Sequence, residues 1–177
     1  MTQEIKYTCA TCGKEHEGLP DLAFDSPIYY RQLPVEEREK RAVLTSDTCV
    51  VDETDFFVRA CLAIPIRGRE VPFVWGVWVT LSKQNFLRYS EFLGQDPPEG
   101  EGPYFGWFSN RLPGYPDTLN LKTHLLLRAG GTRPLVQLES TDHPLAVHQR
   151  EGINLDDLLG ILEENAHGST HQAGDAG

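Results

Sequence analysis

The 177-residue sequence has no window approaching the roughly 18 consecutive apolar residues that a membrane helix needs. Residues 1–8 carry no apolar stretch of the signal-peptide type. Those two absences make the cytoplasm the expected location and exclude a membrane partner. Basic residues are the next shortage: 16 lysines and arginines face 26 aspartates and glutamates, a formal net charge of -10. Nucleic-acid affinity rests on cations that displace counterions from phosphates, so nucleic acid is excluded as a partner as well. Cysteine is sparse, with four in the chain, and in a reducing compartment such thiols are expected reduced or metal-bound rather than bridged. No nucleophile elbow, phosphate-cradling glycine loop, paired-histidine zinc helix or dinucleotide glycine pattern is present, so no ready-made catalytic frame organises the polar residues.

What the chain does have is the composition of an ordinary globular domain, 40% hydrophobic and 24% charged, long enough to bury a core without disulfides. The expectation is one domain over residues 1–166, followed by a small, polar, disordered tail at 167–177. Residues 4–18 read as a strand, a turn at Cys12-Gly13 and a return. Residues 19–33, with Pro20, Pro27 and interspersed aromatics, read as irregular, with no helix. Pro34 before Val-Glu-Glu-Arg-Glu-Lys-Arg predicts a helix over about 34–42, acids early and bases late as the helix dipole prefers.

From Asp47 to Leu81 three runs rich in β-branched and aromatic residues, separated by turn-prone groups, predict an antiparallel meander. In the third run Phe73, Trp75, Val77, Val79 and Leu81 share one face and Val74, Gly76, Trp78 and Thr80 the other, so both faces are expected to be at least partly covered. Ser82 can cap a helix with Phe86, Tyr89 and Leu93 in one stripe, ended by Gly94. Residues 104–108, 119–128 and 134–139 read as further strands. A short helix is expected from Thr141-Asp142-His143-Pro144 to about Arg150, and a last one over 155–165 with Leu155, Leu158, Leu159 and Leu162 on its apolar side.

Three constellations carry candidate chemistry. Cys9, Cys12 and His16 have the spacing of the start of a zinc site, and a closed tetrahedral site needs a fourth ligand. Cys49, Cys61, His143 or His148 can each supply it, although Cys49 and Cys61 lie in apolar runs where cysteine acts as a small hydrophobe. A reduced pair or a redox pair at Cys9 and Cys12 stands as the alternative to zinc. Asp117, Asn120, Lys122, His124, Asp142, His143, His148 and Arg150 form the second group, able to act as acid, base and anion clamp, with Asp117, Lys122, Asp142 and His143 as the candidate catalytic set of a metal-assisted or acid/base hydrolytic enzyme. The third is aromatic: Trp75, Trp78, Tyr104, Phe105, Trp107, Phe108 and Tyr115. Most such rings fill a core, and Tyr104, Trp107 and Tyr115, beside proline and glycine turns, are the ones expected to be exposed for a ligand or partner.

Cys-x-x-Cys-Gly-x-x-His-Glu-Gly-Leu-Pro at 9–20, Phe-Val-Trp-Gly-Val-Trp-Val at 73–79, Tyr-Phe-Gly-Trp at 104–107, Leu-Pro-Gly-Tyr-Pro-Asp-Thr at 112–118 and Thr-Asp-His-Pro-Leu-Ala-Val-x-Gln-Arg-Glu-Gly at 141–152 together resemble the bacterial domain-of-unknown-function family numbered 2199. The resemblance spans nearly the whole chain and implies a bacterial, single-domain, cytosolic protein, with no activity or catalytic residues to transfer. The resulting expectation is an α+β domain with a mainly antiparallel sheet, helices packed against it and an amino-terminal zinc-knuckle-like hairpin holding a structural Zn2+. Its role is expected to be that of a binding or interaction module for a protein or small-molecule partner.

Overall fold

The computed structural model describes residues 5–8, 13–19 and 22–165. Two short strands, β1 (Lys6–Thr8) and β2 (Glu15–Glu17), form an antiparallel hairpin with Tyr7 opposite His16. Then follow β3 (Leu22–Ala23), α1 (Ile28–Arg31), α2 (Val35–Arg41), β4 (Ala42–Leu44), β5 (Thr48–Val51), β6 (Asp55–Ile64), β7 (Phe73–Leu81) and α3 (Lys83–Glu91). The remainder holds β8 (Tyr104–Trp107), β9 (Lys122–Leu126), β10 (Leu135–Leu138), α4 (Pro144–Glu151) and α5 (Leu155–Asn165). Among the described residues no helix is long and apolar enough to cross a membrane. The expected tail at 167–177 lies outside the described residues.

The three β-branched runs form the meander their composition predicts: β5, β6 and β7 pair antiparallel, β6 and β7 from Phe56↔Leu81 to Ile64↔Phe73. Beyond them the sheet is mixed, which corrects the expectation of a mainly antiparallel one. Its path is β3-β7-β6-β10-β9-β8, with β3 parallel to β7 and β10 parallel to β6 at Leu135↔Cys61. No tight turn joins either parallel pair; each partner arrives after a long excursion of chain, so local sequence does not dictate its direction.

The sheet curls until its far end meets β7 again. Phe108, just past β8, bridges Val79, and the Trp107 amide donates to Thr80 Oγ1 at 3.0 Å. A Cβ at Gly106 would sit 2.1 Å from the Thr80 carbonyl oxygen, so only glycine lets the two backbones approach this closely.

Curling makes an inside and an outside. Phe73, Trp75, Val77, Val79 and Leu81 all join the main core, with Val58, Leu62, Leu125 and Val136 from the neighbouring strands. The helices supply its other walls. Ser82 Oγ accepts from the Asn85 amide and starts α3, whose Phe86 and Tyr89 enter the core, Phe86 packing on Phe56 at a centroid distance of 5.1 Å. The helix ends at Glu91, so Leu93, expected in its stripe, is exposed instead. Leu158 and Leu162 of α5 are fully buried, as their spacing predicts.

A second, smaller core covers the opposite side of β6 and β7: Leu33, Cys49, Val51, Phe57 and Trp78, with Phe24, Tyr29 and Tyr30 against them. It is built by the segment expected to be irregular. That segment contains α1, a single helical turn begun by Pro27, whose Tyr29 stacks on Phe57 at 5.6 Å. The Trp78 indole donates to the Phe24 carbonyl at 2.8 Å, and Asn110 Oδ1 accepts from the Trp78 amide at 2.7 Å, so both N–H groups of Trp78 are satisfied. β4 was also not expected; it continues directly from α2, and Arg41 at the junction grips Asp52 with bonds of 2.8 and 2.6 Å.

Candidate functional site

Strand β8 alternates: Tyr104 and Gly106 face inward, Phe105 and Trp107 outward. Pairing with β9 sets Phe105 opposite His124 and Trp107 opposite Lys122, and β10 adds Gln137 beside His124. The Phe105 and Trp107 rings meet edge to face at 5.1 Å, and Phe105 meets the His124 ring at 6.0 Å. Both aromatics are 39% exposed. Glu139 Oε1 lies 3.4 Å from His124 Nε2, and Lys122 and Gln137 are exposed. The outer face of β8–β10 is therefore an aromatic centre bordered by polar and ionisable groups, the makeup of a contact surface.

Of the aromatics expected to be exposed, Trp107 is, and two corrections follow. Tyr104 is only 7% exposed, because its position points into the curled sheet. Its hydroxyl donates to Glu101, whose carboxylate is held below the usual range first by Arg88 and then by this hydroxyl. Tyr115 is half-buried and belongs elsewhere: its hydroxyl shares a 3.0 Å hydrogen bond with His148 Nδ1 on α4, and burial pushes its pKa up to about 12.

The acid/base group forms no hydrogen-bonded set among the described residues, although Asp117 feels the charge of His143. Asp117 accepts from the Leu119 amide at 3.1 Å and pairs with Arg111 at 3.3 Å; the backbone bond first, then Arg111 and last the His143 ring, hold its carboxyl below the ordinary value. His143 begins α4, its Nδ1 accepting from the Leu145 amide at 3.1 Å, while its Nε2 is buried with no hydrogen-bond partner among the described residues. Lys122 is exposed beside Trp107, and Asp142 is exposed ahead of α4. Asn120 accepts from the Tyr29 hydroxyl at 3.0 Å, and Arg150 donates to Ser140 Oγ at 2.9 Å. Among the described residues no hydrogen bond joins Asp117, Lys122, Asp142 and His143 to one another. None of the four lines the cavity between α3 and the β9–β10 turn or the groove between β10 and α4.

Cys9, Cys12 and the side chain of His16 lie outside the described residues, and the His16 backbone lies in β2 opposite Tyr7. Of the reserve ligands, Cys49 is fully buried in the second core, and burial pushes its thiol up to about 12, which disfavours the thiolate a metal takes. It packs as a small hydrophobe. Cys61 is half-buried on β6, His143 caps α4, and His148 is engaged with Tyr115. Among the described residues no group of three or more His, Cys, Asp or Glu is placed to hold a metal ion.

Phe105 was not singled out from the sequence as exposed, although the period-2 alternation of Tyr-Phe-Gly-Trp was enough to put it on the same side as Trp107. No curated protein and no solved structure matches the chain. The motifs that resembled a known family do identify it: the chain belongs, over residues 8–153, to the bacterial family described as "Uncharacterized protein conserved in bacteria (DUF2199)".

Proposed function

We propose that this protein is a binding module that engages a protein partner through the Phe105–Trp107 face of β8–β10, with a structural zinc held by Cys9, Cys12 and His16 bracing its amino-terminal hairpin. The observation that carries the reading is the exposure of two edge-to-face aromatics at 39% each in the middle of a polar rim. Aromatic side chains give much contact area for little lost rotamer freedom, which is why they dominate binding surfaces. The rim of Lys122, His124 and Glu139 supplies both signs of charge to set register with the partner. The wider surface, with the chain at -10, adds an acidic field that favours a basic partner.

Support for zinc comes from the register Thr8↔Glu15, which brings the ends of the 9–14 segment together, and from Gly13, whose φ of 64 suits the turn after Cys12. A reducing cytoplasm would keep both thiols available to the ion. Of the reserve set Cys49, His143 and His148 are already committed, which leaves the free thiol of Cys61 as the reserve ligand for the fourth position.

Tagged wild-type protein and the double variant F105S/W107S, compared for the proteins each retains from a lysate of the source bacterium, test the contact face. Specific partners lost with the variant, at unchanged unfolding temperature, are expected; identical retention by both forms overturns the proposal. Elemental analysis of wild type and Cys9→Ser tests the zinc, with one zinc per chain lost on substitution expected. Metal-free wild type refutes it.

A further inference from the structure

The cavity between α3 and the β9–β10 turn is separate from the aromatic face and independent of the reading above. It encloses about 190 Å³, below the roughly 300–1,000 Å³ of drug-sized pockets, so it suits a compound of fragment size. Two loops build its mouth. The one after α3 and the one between β9 and β10 are clasped by the Gly130 amide donating to Asp96, with Gly131 packed against the Gly94 backbone. Phe92, Leu127 and Pro134 give it apolar walls.

Its polar groups are unevenly charged. Arg128 and Arg133 both line it, against the single carboxylate of Asp47. Each guanidinium is held through one nitrogen only: Arg128 Nε donates to the Arg133 carbonyl and Arg133 Nε to Asp47 Oδ1, each at 2.7 Å. Among the described residues their terminal nitrogens have no protein partner. Fixing Nε orients a guanidinium and leaves the outer edge of its fork free, the geometry that receives a planar oxyanion. Asp47 does not cancel this. Burial works to raise its carboxyl, and bonds from Ser46 and Arg133 outweigh burial and hold it ionised, with Arg59 adding a further positive charge nearby. Tyr89, almost buried, closes the inner end of the wall. In a chain whose net charge is -10, the two guanidiniums on this wall face Asp47, while the Asp96 carboxylate at the mouth is taken up by the Gly130 amide, so the cavity lacks the acidic excess of the rest of the chain.

We infer that this cavity binds a small amphipathic oxyanion, a carboxylate or a phosphate monoester on a compact apolar body, with Arg128 and Arg133 on the anionic group and Phe92, Leu127 and Pro134 around the apolar part. Benzoate, phenyl phosphate and the neutral benzyl alcohol, titrated into the isotopically labelled full chain and followed by amide chemical shifts, test it. Saturable shifts confined to residues 89–97 and 127–134 are expected for at least one anion, with a dissociation constant on the order of 1 mM. Response to benzoate alone assigns a carboxylate, and to phenyl phosphate alone a phosphate ester. Benzyl alcohol is expected to bind about ten-fold more weakly, and Arg128→Gln to weaken the anion by about ten-fold, because a charge-assisted bond is lost in each case. Arg128→Lys, which keeps the charge, is expected to fall between, and unfolding temperatures show that each variant is folded. No saturable shift from either anion up to about 20 mM, equal binding of benzyl alcohol, or undiminished binding by folded Arg128→Gln overturns the inference.

Discussion

Trp78 and Trp107 occupy equivalent places, each on a strand of one curled sheet with its ring on the outer surface, yet Trp78 is fully buried and Trp107 is 39% exposed. The difference is what crosses them. The chain from Leu22 to Leu44 passes over β7, and Phe24, Tyr29 and Leu33 close on Trp78 while the Phe24 carbonyl takes its indole N–H. Nothing comparable covers β8 among the described residues, so the same pattern of alternating aromatics makes a core in one region and a contact face in the other. Whether an outward aromatic is structural or functional is decided by the path of non-sheet chain, not by the strand that carries it.

Substitutions should separate the two regions by the size of their effect. Trp78→Ala is expected to cost about 3–5 kcal/mol, since it opens a large cavity and strands the carbonyl of Phe24; denaturant unfolding measures it, and a loss below about 1 kcal/mol would mean the second core is not closed. Gly106→Ala comes next, at about 1–3 kcal/mol, because its methyl must displace the Thr80 carbonyl where the sheet closes on itself. A neutral result there would show that β8 and β7 do not approach as closely as Phe108↔Val79 pairing requires.

A smaller effect is tied to pH. Burial lowers the His148 pKa below 6.5, with Asp157 opposing and Arg67 assisting. A histidine depressed in the folded state favours folding while neutral, so its contribution is present above pH 6.5 and fades as pH falls through the unfolded value toward the folded one. Wild type should therefore lose stability between neutral pH and about 5 more steeply than His148→Gln. Parallel pH profiles would remove His148 from the account. Trp107→Ala is expected to have the least effect on stability, within about 0.5 kcal/mol; a cost like that of Trp78→Ala would make Trp107 a core residue and erase the contrast.

Local chemistry explains how much was legible beforehand. Pro34, Ser82 and His143 each mark a helix start within a residue of where it occurs, because capping is a short-range interaction. The meander was readable because hairpin neighbours pair by proximity in sequence. The parallel partners of β6 and β7 were not, since no turn constrains them. The turn of α1 was masked by proline and aromatics that favour irregular chain, and tertiary contacts stabilise it, Tyr29 stacking on Phe57 and bonding Asn120 while the Ile28 amide donates to the Ser109 carbonyl. At the site, Trp107 was legible, and the same alternation that puts Phe105 beside it puts Tyr104 on the opposite, inward face. The gathering of Arg128 and Arg133 around one cavity also escaped notice, because its other wall comes from α3, far away in sequence.

Quenching of tryptophan fluorescence by acrylamide tests the contact face most directly, because Trp75 and Trp78 are buried and Trp107 is not. The wild type should show one readily quenched population, and Trp107→Phe should lose it while keeping the protected emission of the other two. Quenching that is equally strong in Trp107→Phe, or absent from the wild type, would contradict an open aromatic face on β8–β10.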